Sequence, residues 1–298
     1  MKKVNPNTDN SANHSVVANP PVQSSTSIPE IDLTRITLRL AKNAEEIIAA
    51  QKLRYTVFYK EFGIIAPPHI ATEERDYDEY DNFADHLVVI DESQIDPDKK
   101  IVGTYRLFQA EHLPKNIPFY SSQEFNIAPL INSGAQLLEL GRSCVLPEYR
   151  TKYIMQKLWQ GIAEYLSDHN IDLMFGCASF QGTNPEAIAD QLAYLKHFHS
   201  APDDLCPVAT IDCMDGISIK AKEDLDARRI FSDLPPLIKG YLRVGATIGK
   251  GAFLDKDFNC IDVCIVMPIH KMSSKYTKHF ERKIQKDVVR DSDFSKKF

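Results

Sequence analysis

LLELGRSCVLPEYR, residues 137–150, starts as a buried strand and then departs from one. Leu137, Leu138 and Leu140 read as core, yet Glu139, Gly141 and Arg142 interrupt them. Side chains alternate faces along a regular strand, so two residues three apart point to opposite sides. A lone glycine inside a strand often marks a bulge, and one extra residue reverses that parity. With a bulge at Gly141, Glu139 and Arg142 share one crevice, where open α/β sheets bind ligands. The competing reading is a structural ion pair.

Working outward, ITLRLAK (36–42) reads as a strand, and Asn43 with Glu46 as the cap of a helix running to Gly63. Segment 64–80 reads as an acidic loop; HLVVID (86–91) and KIVGTYRLF (100–108) read as neighbouring strands. Beyond the quoted stretch, Ile154, Leu158, Ile162 and Leu166 form one helical stripe. IDLMFGCASF (171–180) is a strand buried on both sides, and Asn184 and Pro185 open another helix. PPLIKGYLRVG (235–245) reads as a short helix ended by Gly245, and CIDVCIVMPI (260–269) as a last buried strand. Residues 200–234 show no clear period. The alternation predicts a mixed α/β sheet with helices on both faces.

Residues 1–33, rich in Asn, Ser, Thr, Pro and Gln, read as a disordered tail ahead of a folded domain over 34–270. Residues 271–298 are basic: nine Lys and Arg face four Asp and Glu. Tyr276, Phe280, Ile284 and Val288 recur every fourth position there, the pattern of an amphipathic helix. That helix either packs on the domain, docks an acidic protein or lies on an anionic membrane. The whole chain of 298 residues carries a net charge of −6, which argues against bulk binding of nucleic acid. No apolar run approaches the roughly 20 residues of a membrane span. Six scattered cysteines without a C-x-x-C pair read as reduced thiols, which predicts a cytoplasmic protein.

Other charges gather around the same theme. Arg54 and Phe58 lie four apart on one helix face, Asp78 and Asp81 three apart in the acidic loop, and Arg106 sits inside an apolar strand. A buried arginine requires a carboxylate or an anionic ligand. Both signs of charge together suit a zwitterionic amino-acid substrate.

Arg54-x-x-x-Phe58, Asp78-x-x-Asp81, Arg106 and Glu139-x-x-Arg142 resemble, in order and spacing, the acyl-homoserine-lactone synthases. ELGRSCVLPEYR, LMFGCASFQGTNP and PPLIKGYLRVGATIGKGAFLDKDFNCIDVCIVMPI resemble more closely a sister family, the ornithine Nα-acyltransferases that make lyso-ornithine lipid. The likeness spans about residues 35–280. It implies a fold like that of the GCN5-related N-acyltransferases: a mixed, mostly antiparallel sheet with a splayed, bulged central strand. It also implies transfer of a 3-hydroxyacyl chain from acyl carrier protein to the α-amine of ornithine, with no bound cofactor and no metal. Arg150-Thr151-Lys152-Tyr153-Ile154-Met155 stands where the wider acetyltransferases have a glycine-bearing pyrophosphate cradle, and both small residues are missing. A carrier-bound pantetheine, with its single phosphodiester, needs less cradle than coenzyme A.

The resemblance sets the expected roles. Glu139 removes the amine proton, and backbone N–H groups beside Ser143 hold the oxyanion. Arg142 or Arg106 takes the substrate carboxylate. Asp78 and Asp81 hold the side-chain ammonium or order the loop around it. Arg54, Phe58 and His86 complete the binding site. Lys152, Lys157, Lys239, Arg243 and Lys250 could meet a carrier protein, and peripheral contact with the inner membrane face fits a lipid product. Alternatives are another amine, a homoserine-lactone product, or a non-catalytic, haemolysin-like membrane-active protein. His86 and Asp91 match an H-x-x-x-x-D pattern, but five positions along a strand place them on opposite faces. His197, His199, Asp203, Asp204 and Cys206 fit no standard metal spacing.

Overall fold

The computed structural model describes residues 31–272. Nearly all of the basic helix expected over 271–298 and of the expected N-terminal tail lies outside them. Strands within the described residues are β1 Ile36–Leu40, β2 Asp85–Asp91, β3 Ile101–Gln109, β4 Phe125–Asn126, β5 Leu137–Val145, β6 Leu173–Gln181, β7 Val208–Ala209, β8 Thr247–Ile248, β9 Phe253–Asp255 and β10 Cys260–Pro268. The main sheet runs β1-β2-β3-β5-β6-β10-β8, with β9 beside β10, while β4 and β7 pair separately. Every pairing is antiparallel except β5 with β6.

Helix Ala44–Tyr55 begins where the sequence predicts, with the Asn43 side chain accepting from the Glu46 N–H at 3.0 Å. It continues as a π-helical stretch, Thr56–Glu61, before Gly63 turns with φ 71°. Ala49, Ala50, Leu53 and Val57 pack with Val88, Ile90, Ile101 and Cys144. Helix Lys152–Asp168 buries the predicted stripe of Ile154, Leu158, Ile162 and Leu166 and packs on β1 and β2. Leu87, which approaches this helix near Gly161, and Val88, which faces the first helix, alternate along β2. The two helices therefore cover opposite faces. Segment 64–80 is less loop-like than expected: Pro68–Glu73 forms a short helix and Glu79–Asn82 a 3-10 turn. The unreadable part, 200–234, contains helix Ala227–Asp233, which precedes helix Pro236–Val244. No helix among the described residues is long and apolar enough to cross a membrane.

The pairing that shapes the site is the parallel one. β5 and β6 stay in register only over Leu137–Glu139 and Leu173–Phe175. Beyond that they diverge, whereas β6 remains paired with β10 along its whole length. A Cβ on Gly176 would stand 2.2 Å from the Leu140 carbonyl oxygen, so only glycine fits where the strands part. The splay opens a cavity of about 880 Å³, lined by Leu140–Val145 on one arm and Gly176–Gln181 on the other.

Candidate active site

β5 bulges, but one residue later than the sequence suggested. Arg106 pairs with Gly141 and Thr104 with Cys144, so Arg142 and Ser143 together oppose Tyr105. The left-handed residue is Arg142, at φ 50°, a conformation that costs a non-glycine residue about 1–3 kcal/mol. Gly141 contributes space instead: a Cβ there would meet nothing within 4 Å. The consequence for direction is the expected one. Glu139 and Arg142 line the same cavity, together with Phe58, Arg106 and Ser143.

Glu139 is 2% exposed. Its Oε2 accepts from the Tyr120 N–H at 2.8 Å, and its Oε1 from the Ser121 N–H at 2.6 Å and from the Ser121 hydroxyl. Burial pushes this carboxyl above its ordinary range, against the pull of those hydrogen bonds. Oε2 has a single protein donor, so it keeps room to receive a proton.

Arg142 reaches Asp76 and Asp78 only at 3.5 Å and lies over the rings of Phe258 (4.3 Å) and Tyr120 (5.2 Å). Burial works against its charge, but Asp76 and its other neighbours more than offset this, so it remains a cation. Behind it stands a buried ion network. Arg54, with no exposed surface, donates to both oxygens of Asp81 at 2.8 and 2.7 Å and lies 2.8 Å from Asp76. Arg106 donates to Asp78 at 2.6 Å and to Asp81 at 3.3 Å. Burial opposes charge on Asp81, yet Arg54 and Arg106 hold it well below the usual carboxylate range. Asp78 also caps the 3-10 turn at Tyr80, and Asp81 reciprocates at the Asp78 N–H.

Of the two duties expected of Asp78 and Asp81, the geometry displays the ordering of the loop. Their carboxylates are spent on arginines, and neither residue is among those lining the cavity. Arg54 and His86 stand outside the lining too. His86 faces the Asp81 carbonyl across 3.3 Å, and burial lowers its pKa. Asp91 binds the Tyr149 hydroxyl instead, so the H-x-x-x-x-D residues act apart. His197 faces the Lys220 carbonyl and His199 the Tyr194 hydroxyl, each with its own neighbour. Burial pushes the Cys144 thiol up to about 12, which suits a core residue rather than a nucleophile.

Sequence reading missed several residues of the site. Asp76, which ties Arg54 to Arg142, sat unmarked in an acidic run. Glu124, Asp255 and Asp262 bring three further carboxylates to the cavity. Burial pushes Glu124 up to about 8, helped by the charge of Asp262, and Asp262 up to about 6. Asp262 had a readable signal, an acid within an apolar strand, as Glu139 did. Glu124 lies in an irregular turn and offered none. Tyr105 and Tyr241 also line the cavity, their hydroxyls 3.1 Å apart.

Residues 53–160 match the acetyltransferase (GNAT) domain family. The L-ornithine N(alpha)-acyltransferase of Agrobacterium fabrum is 43% identical over 245 residues, covering 81% of this chain and 84% of the relative. That of Rhizobium meliloti is 41% identical over 251 residues, covering 83% and 85%. This chain belongs to the L-ornithine Nα-acyltransferase family. The fold accordingly is GNAT-like, an α/β sheet, mixed and mostly antiparallel, with helices on both faces. Among solved structures, FeeM, an N-acyl amino acid synthase from uncultured soil microbes, aligns over 80% of this chain and 94% of its own at 12% identity and TM-score 0.46. The CoA-dependent acyl-homoserine lactone synthase BjaI aligns over 84% and 89% at 13% identity and TM-score 0.46. The N-acyltransferase family thus meets, in this chain, a cavity lined by both an acid and a guanidinium.

Proposed function

We propose that the protein transfers a 3-hydroxyacyl chain from acyl carrier protein to the α-amine of ornithine, giving lyso-ornithine lipid. The observation that carries this reading is Glu139 and Arg142 opening into one cavity at the splay of β5 and β6. Family membership supplies the substrate class, through relatives named for ornithine.

In this mechanism Arg142 holds the substrate carboxylate, its own carboxylate contacts being long enough to yield. Glu139 takes a proton from the α-ammonium, whose ordinary pKa is about 8. The freed nitrogen attacks the thioester carbon, forming the C–N bond. The intermediate collapses with cleavage of C–S, nitrogen loses its second proton, and the departing sulfur leaves as the pantetheine thiol. Backbone groups on the β6 side of Leu140–Ser143 have no strand partner there and are available to the oxyanion. No covalent enzyme intermediate is needed.

The donor preference rests on the start of helix Lys152–Asp168. The Thr151 hydroxyl caps it by accepting from the Ile154 N–H at 3.3 Å. Arg150 is clamped to Glu61 by two contacts of 2.6 Å. A helix N-terminus closed by its own side chain favours a carrier-bound pantetheine over a free pyrophosphate. Carrier-protein docking and contact with a membrane surface belong to the same reading.

Purified protein incubated with ornithine and either 3-hydroxyacyl carrier protein or 3-hydroxyacyl-CoA tests it. Mass spectrometry should find Nα-acylornithine with the carrier-bound donor, and Glu139→Gln should lower the rate by about 100-fold or more. A folded Glu139→Gln variant with full activity would remove Glu139 from the mechanism. Absence of product with both donors would overturn the reading.

A further inference from the structure

Glu124 poses a problem that the reaction above does not use. It is 4% exposed, it lines the cavity, and its Oε2 has no hydrogen-bond partner among the described residues. Leaving a buried carboxylate oxygen unpaired is costly, and one that also faces a cavity is placed to meet a ligand. Its main chain is anchored, with the carbonyl accepting from both the Thr210 N–H (2.8 Å) and hydroxyl (2.9 Å). The residue is thus fixed through its main chain, while its carboxyl, which burial favours in the protonated form, pairs with no cation among the described residues.

Two further acids line the same cavity. Asp262, 3% exposed, stands opposite Ser179 in the β6–β10 ladder. Asp255, at the end of β9, brings a carboxylate oxygen within 4.8 Å of ligand atoms of Asp262 and Cys260. The Cys260 thiol donates to Asp262, and burial, first, with these acids raises its pKa, so it acts as a donor rather than as a thiolate. Arg142 exerts a positive influence on both Glu124 and Asp262, but none of the three acids forms an ion pair among the described residues.

We infer that Glu124, Asp262 and Asp255 form a subsite for the side-chain ammonium of a dibasic amino acid, and so select ornithine over uncharged amino acids of the same length. The inference rests on the N-acyltransferase reading and deepens it. It also accounts for regiochemistry. A side-chain amine has an ordinary pKa of about 10.4, and acidic company keeps it protonated and non-nucleophilic. The α-amine, deprotonated more easily and placed at Glu139, is then the one acylated.

The test compares ornithine with norvaline, which lacks only the terminal amine. With 3-hydroxyacyl carrier protein as donor, wild-type kcat/KM should favour ornithine by about 100-fold or more. In Glu124→Gln/Asp262→Asn the preference should shrink to about 10-fold or less, with the loss in the KM for ornithine. Asp255→Asn, at a half-exposed position, gives a smaller shift in the same direction and serves if the double variant does not fold. Calorimetry with ornithine and norvaline, without donor, reads the subsite even if no acyl transfer is seen, so its failure is distinct from failure of the proposed reaction. Equal binding of the two amino acids to wild type would overturn the inference. So would an unchanged preference in the folded double variant, or activity lost to a chelator and restored by a divalent metal.

Discussion

Around Arg142, three arginines and three aspartates form ion pairs with one another: Arg54, Arg106 and Arg142 against Asp76, Asp78 and Asp81. On the lining formed by β9, β10 and the turn before β4, Glu124, Asp255 and Asp262 form no ion pair among the described residues. Both groups are largely withdrawn from water, yet their carboxyl groups shift in opposite directions. Asp81 is held low by its arginines, whereas Glu124 and Asp262 are pushed up by burial. Charges that organise a fold find partners within it; charges left over are available to a ligand.

The largest expected effect strikes the balanced group. Arg54→Met should leave Asp76 and Asp81 buried and uncompensated, costing about 3–5 kcal/mol in urea unfolding. A cost below about 1 kcal/mol would break the contrast, because the network would then not be holding the loop. Next comes Glu139→Gln, which replaces an acceptor for two backbone N–H groups and the Ser121 hydroxyl with an amide. It should cost about 1–3 kcal/mol, while the loss of acyl transfer is far greater than that instability explains.

The pH dependence sharpens the contrast by its sign. Burial raises Glu124 from an ordinary carboxyl value of 4.5 to about 8, so over that window the folded chain holds a proton that the unfolded chain has released. Without substrate, stability should therefore fall as pH rises through this window, by up to about 1.4 kcal/mol per pH unit for that group. Thermal melting from pH 5 to 8 measures the slope, and Glu124→Gln should flatten it. Asp81 behaves in the reverse sense: its contribution is present above about pH 4 and is lost as pH falls below that. The smallest effect belongs to Asp98→Asn, which breaks an exposed pair with Lys52. It should cost no more than about 1 kcal/mol by the same unfolding measurement, and a larger value would mean that exposure does not separate the strong pairs from the weak.

Much of the fold was legible because it depends on local pattern. The apolar stripe at 154, 158, 162 and 166, the Asn43 cap and the twin apolar runs at 173–181 and 260–268 each follow from the spacing of a few neighbouring residues. The pairing of Glu139 with Arg142 in one crevice was legible too, since a parity argument needs only a bulge somewhere between them. Its position was not. Sequence pointed to Gly141, the residue with the freest backbone, whereas tertiary contacts forced Arg142 into the left-handed region.

The chain order alone thus specified which segments are strands and helices, and which strand carries charge into the core. Only the tertiary structure decided which carboxylates are spent and which are free. Asp81 closes a capping box in a 3-10 turn and Glu124 lies in an irregular turn, but neither local setting says which carboxylate meets a cation. What separates them is the arrival of Arg54 from a distant helix at one and of Asp262 from the last strand near the other. Electrostatic interaction depends on distance in space and on exclusion of water, and neither is written in the spacing of residues along the chain.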